Sequence, residues 1–155
     1  MFVRQLTVNA GGHMSSETAV ETNVERVVPF LWVHDLDVSY HFYVDRLGFT
    51  LRHQWVDDGK RRWCWLANGN AAIMLQEFWR EGQHRNLPYG AVGVGVVIYF
   101  ICKDAVALYH EFTSRGVEAS RPKVGNSMWV TQVTDPDGYH VYFESPADEP
   151  EETTL

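Results

Sequence analysis

The sequence contains an internal repeat, and such a duplication constrains the fold more than any single motif because it shapes both halves of the chain. An apolar run over residues 28 to 33 has a counterpart over residues 96 to 101. Each run is followed by a polar turn and then by apolar residues at the spacing of an amphipathic helix. These helical residues are Leu36, Tyr40, Tyr43 and Leu47 in the first half and Ala105, Leu108, Tyr109 and Phe112 in the second. Both halves therefore begin with a strand and a helix.

Each predicted helix has a start signal and a stop signal. Asp35 or Asp37 in the first half, and Asp104 in the second, stand where an N-cap carboxylate accepts hydrogen bonds from free backbone amides. The helical spacing ends at Gly48 and at Gly116, residues that can adopt the left-handed C-cap conformation. The two helices are thus bounded by equivalent residues.

Three further strand-like runs follow each helix. They cover residues 49 to 56, 62 to 67 and 71 to 78 in the first half, and residues 117 to 121, 128 to 133 and 139 to 144 in the second. The sequence therefore predicts an α+β fold with two tandem βαβββ modules, at about residues 26 to 79 and 95 to 145. We expect both modules to form one domain at residues 24 to 146, with a linker between them.

Two short motifs lie at informative places in this duplicated pattern. Tyr43 precedes Leu47-Gly48-Phe49 at the end of the first helix, and residues 135 to 138, Asp-Pro-Asp-Gly, precede the last strand. Over about residues 26 to 145 the chain resembles the vicinal oxygen chelate superfamily of glyoxalases, bleomycin resistance proteins and dioxygenases, whose signatures are "Y-x-x-x-L-G-F" and "D-P-D-G". The resemblance implies two modules that line a sheet-walled cavity. In the bleomycin-resistance branch it also implies a homodimer with grooves between the subunits.

The metal enzymes of this family take one ligand from each of four strands. Transferred by distance from the shared motifs, these positions hold Val28, Met74, Val97 and Tyr142. A divalent ion needs nitrogen or carboxylate oxygen donors, which valine and methionine lack. We therefore predict no metal and no other cofactor. A shifted site that uses His140, Glu144 and Gln76 is the alternative, because His140 and Glu144 share strand parity, as do Gln76 and Met74.

The strands that wall the family's cavity carry aromatic and apolar side chains instead of metal ligands. The predicted ligand-binding residues are Phe30, Trp32, Trp65, Met74, Gln76, Tyr99, Trp129 and Tyr142, with Trp63 as an alternative to Trp65. Aromatic side chains also fill ordinary cores, so core packing is the competing interpretation for each of them. Six tryptophans in 155 residues nevertheless suit stacking against a flat ligand.

These observations favour metal-independent binding of a small, partly planar molecule, similar to drug sequestration by bleomycin resistance proteins. We predict no catalytic residue: the chain lacks a Gly-x-Ser-x-Gly elbow, and burial between Trp63 and Trp65 is expected to make the Cys64 thiol inert. One alternative is a metal-dependent lyase, isomerase or ring-cleaving dioxygenase of the same superfamily. Another is a metabolite-binding or accessory protein without a role in resistance.

Charge and hydropathy exclude two classes of partner. The formal charge is −7, and five of the 20 acidic residues lie in the last twelve positions, so the body is nearly neutral and offers no basic face for nucleic acid. No apolar stretch reaches the length of a membrane span, and no secretory signal is apparent, so we expect a cytoplasmic protein. Residues 1 to 23 read as a leader or cloning scar, and residues 147 to 155 as a disordered acidic tail.

Overall fold

The computed structural model describes residues 23 to 90 and 92 to 155, so the predicted leader lies almost entirely outside the described residues. The first module consists of β1 (Phe30–Val33), α1 (Leu36–His41), a π-helical turn (Phe42–Arg46), β2 (Thr50–Asp57), β3 (Lys60–Asn68) and β4 (Ala71–Glu77). The second consists of β5 (Val97–Ile101), α2 (Ala105–Ser114), β6 (Lys123–Gly125), β7 (Met128–Thr134) and β8 (His140–Pro146). The predicted α+β fold of two βαβββ modules is confirmed.

The two sheets have the same topology. Their strand orders are β1-β4-β3-β2 and β5-β8-β7-β6, and in each the first strand runs parallel to the last while the other pairs are antiparallel. The predicted N-caps are also present. The Asp35 carboxylate accepts hydrogen bonds from the amides of Asp37 and Val38, and the Asp104 carboxylate accepts one from Ala107. Capping therefore fixes the start of both helices.

One predicted strand of the second module is wrong. Residues 117 to 121 form only an isolated bridge, between Ala119 and Val133, and the short β6 follows at Lys123–Gly125. Pro122 stands between the bridge and β6 and has no N–H to donate to a ladder, so pairing with β7 is interrupted there.

Each sheet buries one face and leaves the other open. The buried faces form a shared core that includes Leu31, Val33, Ile73, Leu75, Ile98, Phe100, Val141 and Phe143. We call the opposite faces the open faces, because Phe30 in β1 and Tyr99 in β5 are 45% and 53% exposed there. Strand alternation thus sorts the side chains of each sheet between a core and an accessible surface.

The two motifs that carry the family resemblance contact each other across the modules. The Tyr43 hydroxyl donates to Asp135 Oδ2 over 3.0 Å, and the Phe49 and Phe100 rings meet edge to face at 5.4 Å. The Tyr139 hydroxyl also donates to the Trp32 carbonyl over 3.0 Å. These contacts hold the two sheets in a fixed relation.

The acidic tail is ordered, which corrects the sequence prediction. Glu151 accepts hydrogen bonds from the backbone amides of Asn126 and Ser127 at 3.0 and 2.7 Å, and Glu149 accepts one from the Trp129 indole at 2.9 Å. An isolated bridge joins Lys123 to Thr154 beside β6. Acidic side chains in this tail therefore serve as hydrogen-bond acceptors for a specific turn, in addition to being solvated.

Deletion of residues 147 to 155 should consequently lower the free energy of unfolding by about 2 to 3 kcal/mol, because three charge-assisted hydrogen bonds are lost. Urea unfolding of the intact and shortened chains measures this difference. Asp148→Ala is the matched control, since Asp148 is exposed and lies beside the interacting acids. An unchanged urea midpoint for the shortened chain would contradict the role assigned to the tail.

None of the helices within the described ranges has the length and apolar character needed to cross a membrane.

Candidate functional site

Cross-strand rows of large side chains cover the open face of the first sheet. Phe30 pairs with Met74, and Met74 pairs with Trp65 on the next strand. One step along, Trp32 pairs with Gln76, which pairs with Trp63. The edge-to-face contact of Phe30 with Trp32, at 5.6 Å between ring centroids, joins the two rows. The first open face is therefore predominantly aromatic.

The open face of the second sheet is smaller and more polar. Tyr99 pairs with Tyr142 at a ring distance of 5.2 Å, while Val97 pairs with His140 and Ile101 with Glu144. Val97 and Ile101 are 40% and 71% exposed. This face thus presents a tyrosine pair between apolar and titratable side chains.

The structure places seven of the eight predicted ligand-binding residues on the open faces. They are Phe30, Trp32, Trp65, Met74 and Gln76 on the first sheet, and Tyr99 and Tyr142 on the second. Trp63, the alternative to Trp65 in the sequence prediction, lies on the same open face.

Trp129 lies on the other face of its sheet, which corrects the predicted grouping. It pairs with Ser145, a buried residue whose hydroxyl accepts a hydrogen bond from the first amide of α2. Trp129 therefore faces the helix side, and the tail residue Glu149 satisfies its indole N–H. The structure separates it from Tyr142 by the thickness of the sheet.

Two neighbouring grooves lie beside the start of β4. We call the first the basic groove: it has a volume of about 340 Å³ and is lined by Arg26, Arg52, His53, Trp65, Ala67 and residues 69 to 72. The second, the apolar groove, has a volume of about 560 Å³ and is lined by residues 26 to 29, 70 to 72 and 96 to 100. Arg26 and residues 70 to 72 line both, so the two grooves adjoin each other, with Trp65 in the first and Tyr99 in the second.

Two further depressions lie elsewhere. One, of about 430 Å³, borders the open face of the second sheet at His140 and Tyr142. The other, of about 610 Å³, lies between α2 and the turn after β3, where Phe49, Phe100 and Phe143 form part of its wall. Of the predicted aromatic residues, Trp65 borders the basic groove, Tyr99 the apolar groove and Tyr142 the first depression. Phe30, Trp32 and Trp129 border none of these four spaces.

The residues at the family's metal positions do not fit a divalent ion. Met74 and Tyr142 lie on the open faces, Val97 is exposed in β5 and Val28 precedes β1. Two valines and a methionine offer neither nitrogen nor carboxylate oxygen. We derive no chemical step through a metal at these positions.

The alternative metal set is spread over both sheets. His140 and Glu144 lie on β8, and Gln76 lies on β4. From His140 to Glu144 the strand advances four residues, or about 13 Å at about 3.3 Å per residue. Side chains that stand perpendicular to the sheet cannot bridge this distance to reach one metal ion. Over residues 23 to 90 and 92 to 155, no group of three or more histidine, cysteine, aspartate or glutamate side chains is placed to hold a metal ion.

Three buried titratable groups have structural rather than reactive surroundings. Burial in the core, on the face opposite Trp63 and Trp65, raises the pKa of the Cys64 thiol to about 12 and keeps it protonated. Burial also raises the pKa of Tyr43 well above its usual value and that of Asp135 above its usual value. Tyr43 is therefore a permanent donor to Asp135, and the pair connects the modules.

Sequence reasoning missed the charged part of the grooves. Arg26 was assigned no role, and Arg52 and His53 are adjacent in β2, so simple alternation would send their side chains to opposite faces. A bulge in β2, which no sequence motif marks, brings both to the basic groove.

Comparisons with known proteins agree with the fold. The model of the "Glyoxalase/Bleomycin resistance protein/Dioxygenase superfamily" matches residues 23–143. A search of curated proteins gives no match. Among solved structures, TioX from Micromonospora sp. ML1 is 18% identical over 79% of this chain and 99% of its own, with a TM-score of 0.64.

Two further structures show the same likeness. TnmS3, an antibiotic binding protein from Streptomyces sp. CB03234, is 20% identical over 81% of this chain and 99% of its own, with a TM-score of 0.58. A glyoxylase/bleomycin resistance protein/dioxygenase domain from Frankia sp. EAN1pec is 16% identical over 83% of this chain and 96% of its own, with a TM-score of 0.62. At these identities the likeness establishes a shared fold.

Proposed function

Because the chain belongs to the glyoxalase/bleomycin resistance protein/dioxygenase superfamily, we propose that it binds a small, partly planar molecule without a metal and sequesters it. The observation that carries this proposal is the aromatic surface of the open faces, with Phe30, Tyr99 and Trp55, which pairs with Trp63, each more than two-fifths exposed. Aromatic side chains that are not needed for the core cost solubility unless something covers them. A flat ligand that stacks on them would bury this area.

The antibiotic-binding neighbour TnmS3 supports the same proposal. Its fold matches this chain over 81% of the residues, and it binds an antibiotic. Protection of the cell by drug sequestration requires a binding cavity but no catalysed reaction. This suits a site in which Val28 and Met74 occupy positions of the family's metal ligands. The proposed setting is the cytoplasm, where an intracellular drug would be captured.

Substitution of the open-face aromatics should weaken binding more than folding. In Trp32→Ala, Tyr99→Ala and Tyr142→Ala, loss of one stacking contact should raise the dissociation constant about three- to tenfold. Bleomycin is the first probe, followed through tryptophan fluorescence, and thermal unfolding of each variant is measured in parallel. Tyr99 is 53% exposed, so its removal should shift the melting temperature little.

Trp129→Phe is the matched control for these variants. Trp129 lies on the helix side and loses only its hydrogen bond with Glu149, so stability should fall slightly while affinity stays unchanged. If all three open-face variants unfold much earlier yet bind the probe normally, these aromatics belong to the core and the proposed site is wrong.

We also propose a homodimer in which the open faces of two chains enclose the ligand. Exposed Val97, Tyr99 and Ile101 on β5, an edge strand, form an apolar stripe that a partner subunit would cover. Light scattering at micromolar concentration should therefore give twice the 17.8 kDa mass of the chain. Ile101→Asp should shift this equilibrium toward monomers, and a monomeric mass for the unmodified protein would contradict the dimer.

A further inference from the structure

We propose that the basic groove is an anion subsite that holds the acid group of the ligand, so that the ligand is a planar aromatic acid. This inference rests on the proposed function, because the same ligand must stack its ring on the neighbouring aromatic surface. Three side chains carry the argument, namely Arg26, Arg52 and His53, which line one groove together with Trp65.

A β-bulge places two of these side chains on the same side of the sheet. The register of β2 against β3 pairs Leu51 with Leu66 and then His53 with Trp65, so Arg52 is the extra residue of the irregularity. In a regular strand Arg52 and His53 would point to opposite faces. Bulges re-aim side chains in this way and are common beside binding sites. The bulge therefore adds a guanidinium to the rim of the aromatic open face.

In the part of the chain that the structure describes, neither Arg26 nor Arg52 forms an ion pair. By contrast, Lys60 and Arg62 at the other end of β3 share the carboxylate of Glu77. The described residues that line the groove include no aspartate or glutamate. Although the chain carries a formal charge of −7, this groove is locally positive, and beyond a Debye length of about 8 Å the other exposed charges are screened.

Small residues give the groove its depth. Its floor contains Ala67, Gly69, Ala71 and Ala72, and Trp65 forms a wall that contacts the His53 ring edge to face at 6.3 Å. The volume of 340 Å³ lies at the lower end of ligand pockets, which suits one part of a molecule rather than a whole drug. The remaining part of the ligand would extend into the adjoining apolar groove.

The apolar groove supplies the complementary surface for the ring system. It shares Arg26 with the basic groove and continues past Val28 to Val97 and Tyr99. A guanidinium offers a planar fork of donors that matches a carboxylate, and it can also lie flat on an aromatic ring. A planar acid therefore fits both grooves at once, whereas a cationic ligand of the same shape would meet two like charges.

Three naphthalene probes of equal size test this preference: naphthoate, its neutral amide naphthamide, and cationic naphthylmethylamine. Binding to the full chain is followed by tryptophan fluorescence. We expect naphthoate to bind about tenfold more tightly than naphthamide, since two exposed ion pairs contribute roughly this factor. Naphthylmethylamine should bind most weakly, and added salt should weaken naphthoate binding alone.

Arg26→Gln and Arg52→Gln should each remove most of the preference for naphthoate over naphthamide. Both residues are exposed, so these variants should fold normally. Arg121→Gln, which removes an exposed cation outside the grooves, should keep the full preference. A preference that survives in both groove variants would overturn the assigned location.

The outcomes separate this inference from the proposed function. If naphthoate and naphthamide bound equally, and if Tyr99→Ala weakened the binding of both, the anion subsite would be overturned. The planar binding site would then still be supported. Failure of all three probes would also overturn the subsite. If a larger neutral ring system such as pyrene then also failed to bind, the proposed function would fall with it.

Discussion

Replacement of Asp135 by alanine should lower the free energy of unfolding by about 3 to 6 kcal/mol, because three donors, two of them buried, would lose their acceptor. Oδ1 accepts hydrogen bonds from the amides of Asp137 and Tyr139 at 2.9 and 2.8 Å, and Oδ2 accepts one from the Tyr43 hydroxyl at 3.0 Å. An unsatisfied buried donor costs about 1 to 3 kcal/mol. The loss should therefore exceed that of a typical point substitution.

Denaturant unfolding of Asp135→Ala, Tyr43→Phe and Asp148→Ala would test this expectation. Tyr43→Phe keeps the ring and removes only the hydroxyl, so it should cost about 1 to 2 kcal/mol. Asp148→Ala removes an exposed carboxylate and should stay within about 0.5 kcal/mol of the unmodified protein. If Asp135→Ala cost less than Tyr43→Phe, the carboxylate would not be the acceptor on which the turn depends.

The modular fold could be predicted because its signals are local. Asp104 caps α2, and Gly48 and Gly116 have φ values of 79° and 76° in the left-handed region where glycine is favoured. Strand parity then placed Trp32 and Tyr99 on the open faces, since alternation within one strand needs no knowledge of its partners. These features depend on residues close together in the chain.

The sequence predictions were wrong where a residue distant in sequence determines the local structure. The facing of Trp129 depends on its register with Ser145 in β8, which its own strand pattern does not fix. The tail is ordered because Asn126 and Ser127 have positive φ values and direct their amides to Glu151, a contact between residues far apart in sequence. A run of acids carries no signal for that contact.

Only the aromatic residues of the candidate site could be predicted, because the charged residues are positioned by contacts between residues distant in sequence. Trp65 and Met74 follow from alternation, but Arg52 reaches the groove through a bulge whose position is set by the pairing of β2 with β3. Arg26 precedes the first strand, where no periodicity specifies its direction. The charges that would select a ligand were therefore the part that sequence patterns could not supply.

The second large effect is expected from Phe49→Ala, which should cost about 3 to 5 kcal/mol of stability, the range for truncation of a buried aromatic residue. Phe49 is 2% exposed and packs edge to face on Tyr43 at 5.7 Å and on Phe100 at 5.4 Å. Phe100 in turn stacks on Phe143 at 5.4 Å. Removal of the Phe49 ring would leave a cavity at the contact between the two modules.

Phe30→Ala is the matched control, because it truncates an aromatic residue that is 45% exposed on the open face. Its cost should be about 1 kcal/mol or less, since little buried area is lost. Phe49→Leu should fall between the two, as leucine fills part of the cavity. The three variants are compared by urea unfolding at a single protein concentration, so that association contributes equally. Equal losses for Phe49→Ala and Phe30→Ala would contradict the assignment of Phe30 to an accessible surface, since truncation of an exposed ring removes little buried area.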